Sequence, residues 1–155
     1  HRAVIHARPS QDRSDMEKSF LLCRHRGFRS ALIMAADGDA LDHVVNSLSA
    51  ASKAGLRISF VTRSVVVHVL RGRVRRSWPI PMKHRISWFG WPRADDCTLQ
   101  GVVWPFENRQ LELGGFNSLS NLPDGEIVTL RQAAGVSLLV LSLRPKRRAS
   151  LILSD

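Results

Sequence analysis

Three groups of polar side chains along this chain could do chemistry. Asp12 and Asp15 flank what reads as the start of a helix, and Gln11 stands just before them. Two carboxylates at a helix entry can point at one site, and a hard cation such as Mg2+ takes oxygen ligands of this kind. The same residues can instead serve the helix, because Asp and Ser cap it and negative charge suits its N-terminal dipole. Asp42 and His43 open a second helix-like stretch. An Asp there can accept hydrogen bonds from a cationic or amino-bearing ligand, or it can cap. Ser118, Ser120 and Asn121 follow Gly114-Gly115-Phe116-Asn117, where a strand runs into a turn. Short hydroxyl and amide groups on such a turn can bond a ligand edge, or they can hold the turn itself.

The elements that must position these groups change character along the chain. Ser14-x-x-Glu17 is a capping-box pattern. Met16, Phe20 and Cys23 follow at helical spacing and Gly27 supplies a stop, which predicts a helix over 15–26. Ala31–Ala35 reads as a short buried strand. Leu41, Val44, Val45 and Leu48 predict an amphipathic helix that ends near Gly55, and 56–61 reads as a further strand. Residues 1–61 therefore read as strand, helix, strand, helix, strand, an α/β unit with parallel strands. Beyond Thr62-Arg63 no helical period appears. Strands are predicted at Ser64–Val74, Ile86–Phe89, Thr98–Trp104, Arg109–Leu113, Glu126–Arg131, Val136–Leu143 and Ser150–Leu153, punctuated by Gly, Pro, Asn and Asp. This half reads as an antiparallel sandwich or partly open barrel.

With 155 residues, 44% hydrophobic and 23% charged, the chain suits one compact domain, or a small domain attached to part of another. No run approaches the ~18 apolar residues of a membrane span, and the opening His1–His6 has no apolar signal-peptide core. Cys23 and Cys97 are too few for a disulfide scaffold or a metal knuckle, so a reduced, cytoplasmic setting is expected. A net charge of +10 favours anionic partners. Arg71, Arg73 and Arg75 are expected to alternate on one strand face, followed by Arg76, and Arg144–Arg148 is a second basic run. Basic residues commonly guard a sheet edge. No nucleic-acid-binding signature accompanies them, so a solvated face is preferred over nucleic-acid contact. Trp78, Trp88, Trp91 and Trp104 all lie in the second half. An indole can stack on a flat cationic ring or build the core.

In order and interval, these motifs resemble the back two-thirds of the thiamine pyrophosphokinase family. That family carries a Lys/Gln-Asp-x-Thr/Ser-Asp box ahead of the same kind of helix, and Gln11-Asp12-Arg13-Ser14-Asp15 fits it. Where the family has Gly-Gly-Arg-x-Asp-His, this chain has Gly38-Asp39-Ala40-Leu41-Asp42-His43, so Asp42 and His43 match while the second Gly and the Arg do not. Ser118, Ser120 and Asn121 match the family's Ser-x-Ser-Asn motif, and Thr98–Phe106 is similar to its Thr-x-Gly-Leu-x-Tyr/Trp-x-Leu strand. The resemblance implies a partial three-layer α/β domain over 1–62 and a C-terminal antiparallel β-sandwich or barrel over 63–155. It implies transfer of diphosphate from ATP to the hydroxyethyl group of thiamine, giving thiamine diphosphate and AMP, with Mg2+. Asp15 and Asp12 would bind the metal and, with Asp42, act in catalysis. Gln11, Asp42, Ser118, Ser120 and Asn121 would face the substrate, the last three at its aminopyrimidine.

The family works as a homodimer, with thiamine sites between the α/β domain of one subunit and the β domain of the other. A motif Arg near a triphosphate supplies bidentate bonds that Ala40 cannot. The family's Ala-Asp-Gly-Gly and Gly-Asp-x-Asp-Ser boxes have no match here. The chain is therefore expected to be a C-terminal portion of such an enzyme, or a divergent member, and in the first case weakly active or inactive alone. Two other readings stand beside the kinase: a non-catalytic thiamine-binding module and, behind it, a basic nucleic-acid binder with salt-dependent affinity.

Overall fold

Ser14 starts the first helix, α1 (Asp15–His25), by a reciprocal capping box. The Glu17 amide donates to Ser14 Oγ at 3.3 Å, and the Ser14 amide donates to Glu17 Oε2 at 2.9 Å. The structure, a computed structural model, describes residues 12–36, 40–80 and 84–143. Gln11, the Gly38 turn, the basic run Arg144–Arg148 and the strands expected before α1 and at Ser150–Leu153 lie outside the described residues.

After α1 come β1 (Ser30–Met34), α2 (Leu41–Lys53) and β2 (Arg57–Val61). β1 and β2 are parallel, in register from Ser30 opposite Arg57 to Met34 opposite Val61. A parallel pair needs a crossover, and α2 supplies it. Both helices pack on one face of these strands, where Phe20, Ala50, Ala51, Ala54, Ile58 and Phe60 are buried together. Two expectations are corrected here. The stripe read at Leu41, Val44, Val45 and Leu48 is not the main buried face of α2, since Leu41 is 76% exposed. Phe20 of α1 needs the room that the three alanines leave, so the contact falls on the C-terminal half of α2 and just beyond it. Among the described residues β1 is the edge of the sheet rather than a buried strand. Its Ala31 and Ile33 face the helices, whereas Leu32 and Met34, on the other face, are exposed. Among the described residues there is one helical layer, on one face.

The remaining strands are β3 (Val65–Arg71), β4 (Val74–Pro79), β5 (Ile86–Gln100), β6 (Phe106–Glu112), β7 (Ser118–Asn121), β8 (Ile127–Gln132) and β9 (Ala134–Ser142). They pair antiparallel in the order β1-β2-β3-β9-β5-β8-β4, with β6 and β7 also on β5. The turn at Thr62, where the two halves were expected to part, joins β2 to β3 within this one sheet. β5 makes the sheet curl. It pairs with β9 along its first part and with β8 near its end, and its register shifts between Gly90 and Ala94. Such irregularities bend a strand without ending it. That is why Ile86–Phe89 and the start of Thr98–Trp104, predicted as two strands, form one. Trp91-Pro92 and Asp95-Asp96, which look like breaks, fall within it.

The curl encloses a second core around Ile86, Trp88, Leu99, Leu111, Val128 and Leu130. Its polar groups are paired, as buried ones must be. Trp88 Nε1 donates to Ser137 Oγ at 2.8 Å, Ser137 Oγ donates to Gln132 Oε1, and Gln132 Nε2 donates to the Gly72 carbonyl at 2.9 Å. Gly72 also corrects the arginine reading. With φ at +64°, it turns the chain between Arg71 at the end of β3 and Val74 at the start of β4, and these two strands are not neighbours. The arginines therefore do not share one strand face. β4 does lie at the sheet edge, and Arg75 and Arg76 are exposed on it, as a guarded edge requires.

Cys97 is buried in the second core, and burial pushes its thiol up to about 12. Cys23 on α1 is only half-buried. Iodoacetamide at neutral pH should therefore label Cys23 alone in the native chain and both cysteines after denaturation, because the thiolate is the nucleophile. Peptide mass mapping checks this; native labelling of Cys97 would mean that the second core opens.

Candidate functional site

Ser118–Asn121, expected as a turn, forms the short strand β7 on β5, with Trp88 opposite Ser118 and Ile86 opposite Asn121. Asn121 is buried and makes four hydrogen bonds. Its Nδ2 donates to the Trp104 carbonyl at 2.8 Å and to Ser118 Oγ at 3.3 Å. Its Oδ1 accepts from the amides of Trp104 at 3.1 Å and Leu122 at 3.0 Å. A carboxamide has two donors and two lone pairs, so nothing on this side chain is left for a ligand. It clamps the segment after Gly101 onto β7, beside the Val102–Pro123 bridge.

Ser118 is buried and engaged by that clamp. Ser120 differs. It is exposed, its backbone is left-handed at φ +51°, and its amide donates to Ser87 Oγ at 2.9 Å. That conformation is uncommon for a residue with a side chain, and its hydroxyl has no partner among the described residues. Trp104, whose backbone Asn121 holds, is 61% exposed, whereas Trp88 is fully buried. Asn117 makes a second clamp: its Oδ1 accepts from the Gly90 amide at 2.9 Å and its Nδ2 donates to the Glu112 carbonyl at 2.8 Å. Next to it, Phe116 meets Phe106 edge-on at 5.2 Å, and the Arg109 guanidinium lies 4.3 Å from the Phe116 ring centroid.

The candidate carboxylates belong to the helical half. Because Ser14 is the cap, the Asp15 side chain is released from that task. It is fully exposed and meets Lys18 Nζ at 3.2 Å. Asp12 is exposed just before the helix. Ser14, through its amide and then its hydroxyl, holds the Glu17 carboxyl below its ordinary pKa. Arg13 and Glu17, at the start of α1, line a groove with Lys53, at the end of α2. Asp42 heads the other end of α2, roughly 16 Å along the helix axis from Lys53. Ala40, at the N-cap of α2, offers no side-chain cap, and Asp42 and His43 are exposed in the first turn. Among the described residues, no group of three or more His, Cys, Asp or Glu could hold a metal ion. No helix among them is long and apolar enough to cross a membrane.

One polar pair was not anticipated. Ser59 and His68 face each other across β2 and β3, with Oγ 2.8 Å from Nδ1. Burial lowers the pKa of His68, which favours the neutral imidazole. Only the pairing register brings the two together, so nothing in their spacing marks them.

No protein-family model and no curated protein matches the chain. Solved structures of pyrophosphokinases, however, share its fold. The thiamine pyrophosphokinase of Bacillus subtilis matches with a TM-score of 0.72 at 17% identity, over 86% of this chain and 64% of its own. That of Geobacillus thermodenitrificans matches at 0.72 and 20% identity, over 87% and 64%. A thiamin pyrophosphokinase family protein of Enterococcus faecalis matches at 0.73 and 18% identity, over 93% and 70%. The chain has the fold of the thiamine pyrophosphokinases, and it spans about 64% of the length of the first two. The likeness drawn from the motifs is thus met again in the fold.

Proposed function

We propose that the chain is the thiamine- and nucleotide-handling part of a thiamine diphosphokinase. The observation that carries this reading is the fold shared with thiamine pyrophosphokinases over 86% and more of the chain. The thiamine hydroxyl oxygen attacks the β-phosphorus of ATP in line. The bond from that phosphorus to the oxygen bridging the α-phosphate breaks, AMP leaves with the electron pair, and the hydroxyl proton is released. Transfers of this kind rest on positioning and charge stabilisation rather than on covalent help from the protein.

In this reading the Ser120 hydroxyl and the Trp104 indole are the ligand-facing groups of the β half, and Asn121 and Ser118 hold them in place. Asp42 accepts a hydrogen bond from the substrate. Gln11, Asp12 and Asp15 attend the diphosphate. The carboxylates of Asp12 and Asp15 are the oxygen donors that Mg2+ takes, but the described residues do not assemble a site for it. A cytoplasmic homodimer belongs to the same reading, with thiamine between residues 1–62 of one subunit and 63–155 of the other. A second reading, a non-catalytic thiamine-binding module, is favoured by Ala40 in the place of the family Arg. Nucleic-acid binding is the least favoured.

Calorimetry with thiamine, and separately with a nonhydrolysable ATP analogue, tests both. The kinase part should bind thiamine and, in a Mg2+-dependent way, the ATP analogue; a module should bind thiamine and show no Mg2+-dependent nucleotide binding. Ser120→Ala should weaken thiamine about tenfold, the loss of one hydrogen bond, and leave the ATP analogue and the melting temperature unchanged. Failure to bind thiamine at all would overturn both readings.

A further inference from the structure

The face of β2 and β3 turned away from the helices carries a cleft that none of these motifs enters. It has a volume of about 640 Å³ and lies between that face and β4. Arg57, Arg71, Arg73 and Arg76 line it, and among the described residues no carboxylate does. A second cleft of about 610 Å³ adjoins it, sharing Arg57 and Arg71 and adding Arg24 and Arg29. Again no described carboxylate lines the wall. None of these six arginines makes an ion pair with a described residue, although elsewhere on the chain Arg93 pairs with Asp95 at 2.7 Å and Lys18 with Asp15. The Ser59–His68 pair lies in the first cleft, and Trp78 and Leu141 form part of its wall.

Guanidinium groups converging on a concave wall focus a positive potential there. An apolar layer over this wall would bury the charges unpaired, which is costly, so the arginines are left to water or to an anion. The guanidinium fork matches phosphate oxygens. A concave wall of this size, partly apolar with a few placed polar groups, is the form of a small-molecule site. The position is also distinct. Arg29 precedes β1, Arg57 opens β2 and Arg71 closes the antiparallel β3, so they mark the amino end of the parallel pair. Asp42 follows the carboxyl end of β1.

We propose that this cleft binds a compact phosphorylated ligand with a planar ring, of the nucleotide class, at a site separate from the one that would carry diphosphate transfer. The phosphates meet Arg57, Arg71 and Arg73. The ring lies against Trp78 and the apolar wall, with Ser59 and His68 as hydrogen-bonding groups beneath. This holds whether or not the chain is part of a kinase.

The test is calorimetry of the full chain with ADP and with inorganic tripolyphosphate, each with chelator present. Both should bind, ADP the tighter because its ring is used. Arg71→Gln with Arg73→Gln should weaken both at least tenfold while thiamine binding, which reports an intact fold, is kept. Should that pair fail to fold, Arg73→Gln alone, in the exposed turn between β3 and β4, should weaken both about threefold. Asp42→Asn should leave ADP affinity unchanged. Affinities unmoved by the arginine changes would overturn the proposal, as would a single-stranded oligonucleotide that binds more tightly than ADP and displaces it. Loss of thiamine binding alone would leave this site standing and remove the kinase reading; loss of ADP binding alone would do the reverse.

Discussion

Replacing Gly101 by alanine is expected to destabilise the curled part of the sheet more than any other change considered. Gly101 has φ +74°, and an added Cβ would lie 2.0 Å from the Ile127 carbonyl oxygen. The left-handed conformation alone costs a residue with a side chain about 1–2 kcal/mol. The contact is worse, because its partner is backbone and cannot rotate away. Nor can the strands easily part. The Asp124 amide donates to the Gly101 carbonyl at 2.9 Å, the Val103 amide donates to the Leu122 carbonyl at 2.9 Å, and Gln100 pairs with Thr129. Relieving the overlap breaks this ladder, so a loss above about 4 kcal/mol is expected, near the top of what single substitutions do. A domain holds only about 5–15 kcal/mol in all. Urea denaturation followed by circular dichroism measures it. An alanine variant with a midpoint close to the parent's would show that segments 100–103 and 122–128 do not meet as described.

Asn121→Ala is expected to destabilise the chain by about 2–4 kcal/mol, through partly buried groups left without partners. The Trp104 amide and carbonyl both lose their partner, and Ser118 loses its donor. Thiamine affinity should fall as well, because Trp104 and the end of β7 are no longer held together. Faster hydrogen exchange at the Trp104 amide is the readout that a ligand contact would not produce. Ser120→Ala should behave in the opposite way, with affinity lost and stability kept. If Asn121→Ala melts like the parent yet binds thiamine poorly, Asn121 touches the ligand and the clamp is not its role.

Features built from adjacent residues were legible in the sequence. The α1 start depends on a side chain reaching an amide three residues on, and Ser14-x-x-Glu17 announces it. β1, α2 and β2 were visible in the same way, as runs with their own punctuation. What was not legible depends on partners far along the chain. Trp88 and Trp104 look alike in sequence, and only the pairing of β5 with β9, Trp88 opposite Leu139, buries the first. Pro92 looks like a strand end, but β5 passes through it by changing partners. Along α2, Leu and Val suggest burial in the sequence, while it is Phe20 of α1 that selects the alanines. At the candidate site the motif positions were legible by resemblance. The choice between holding the turn and holding a ligand was not, and the Asn121 bonds show that it holds the backbone.

The order of the sheet has a consequence for how the chain comes to be folded. β9 is the last of the described strands to be synthesised, yet it lies between β3 and β5 and hydrogen-bonds to both. Until residues 134–142 leave the ribosome, the helical half and the curled half each present an open strand edge and have nothing to join them. Contacts such as Val65 with Ser142 span half of the chain, and closure over that distance is slow. The nascent chain therefore waits in a state with unpaired edges, the condition in which strands find wrong partners. One strand completes both cores at once, so folding is committed late and in a single step.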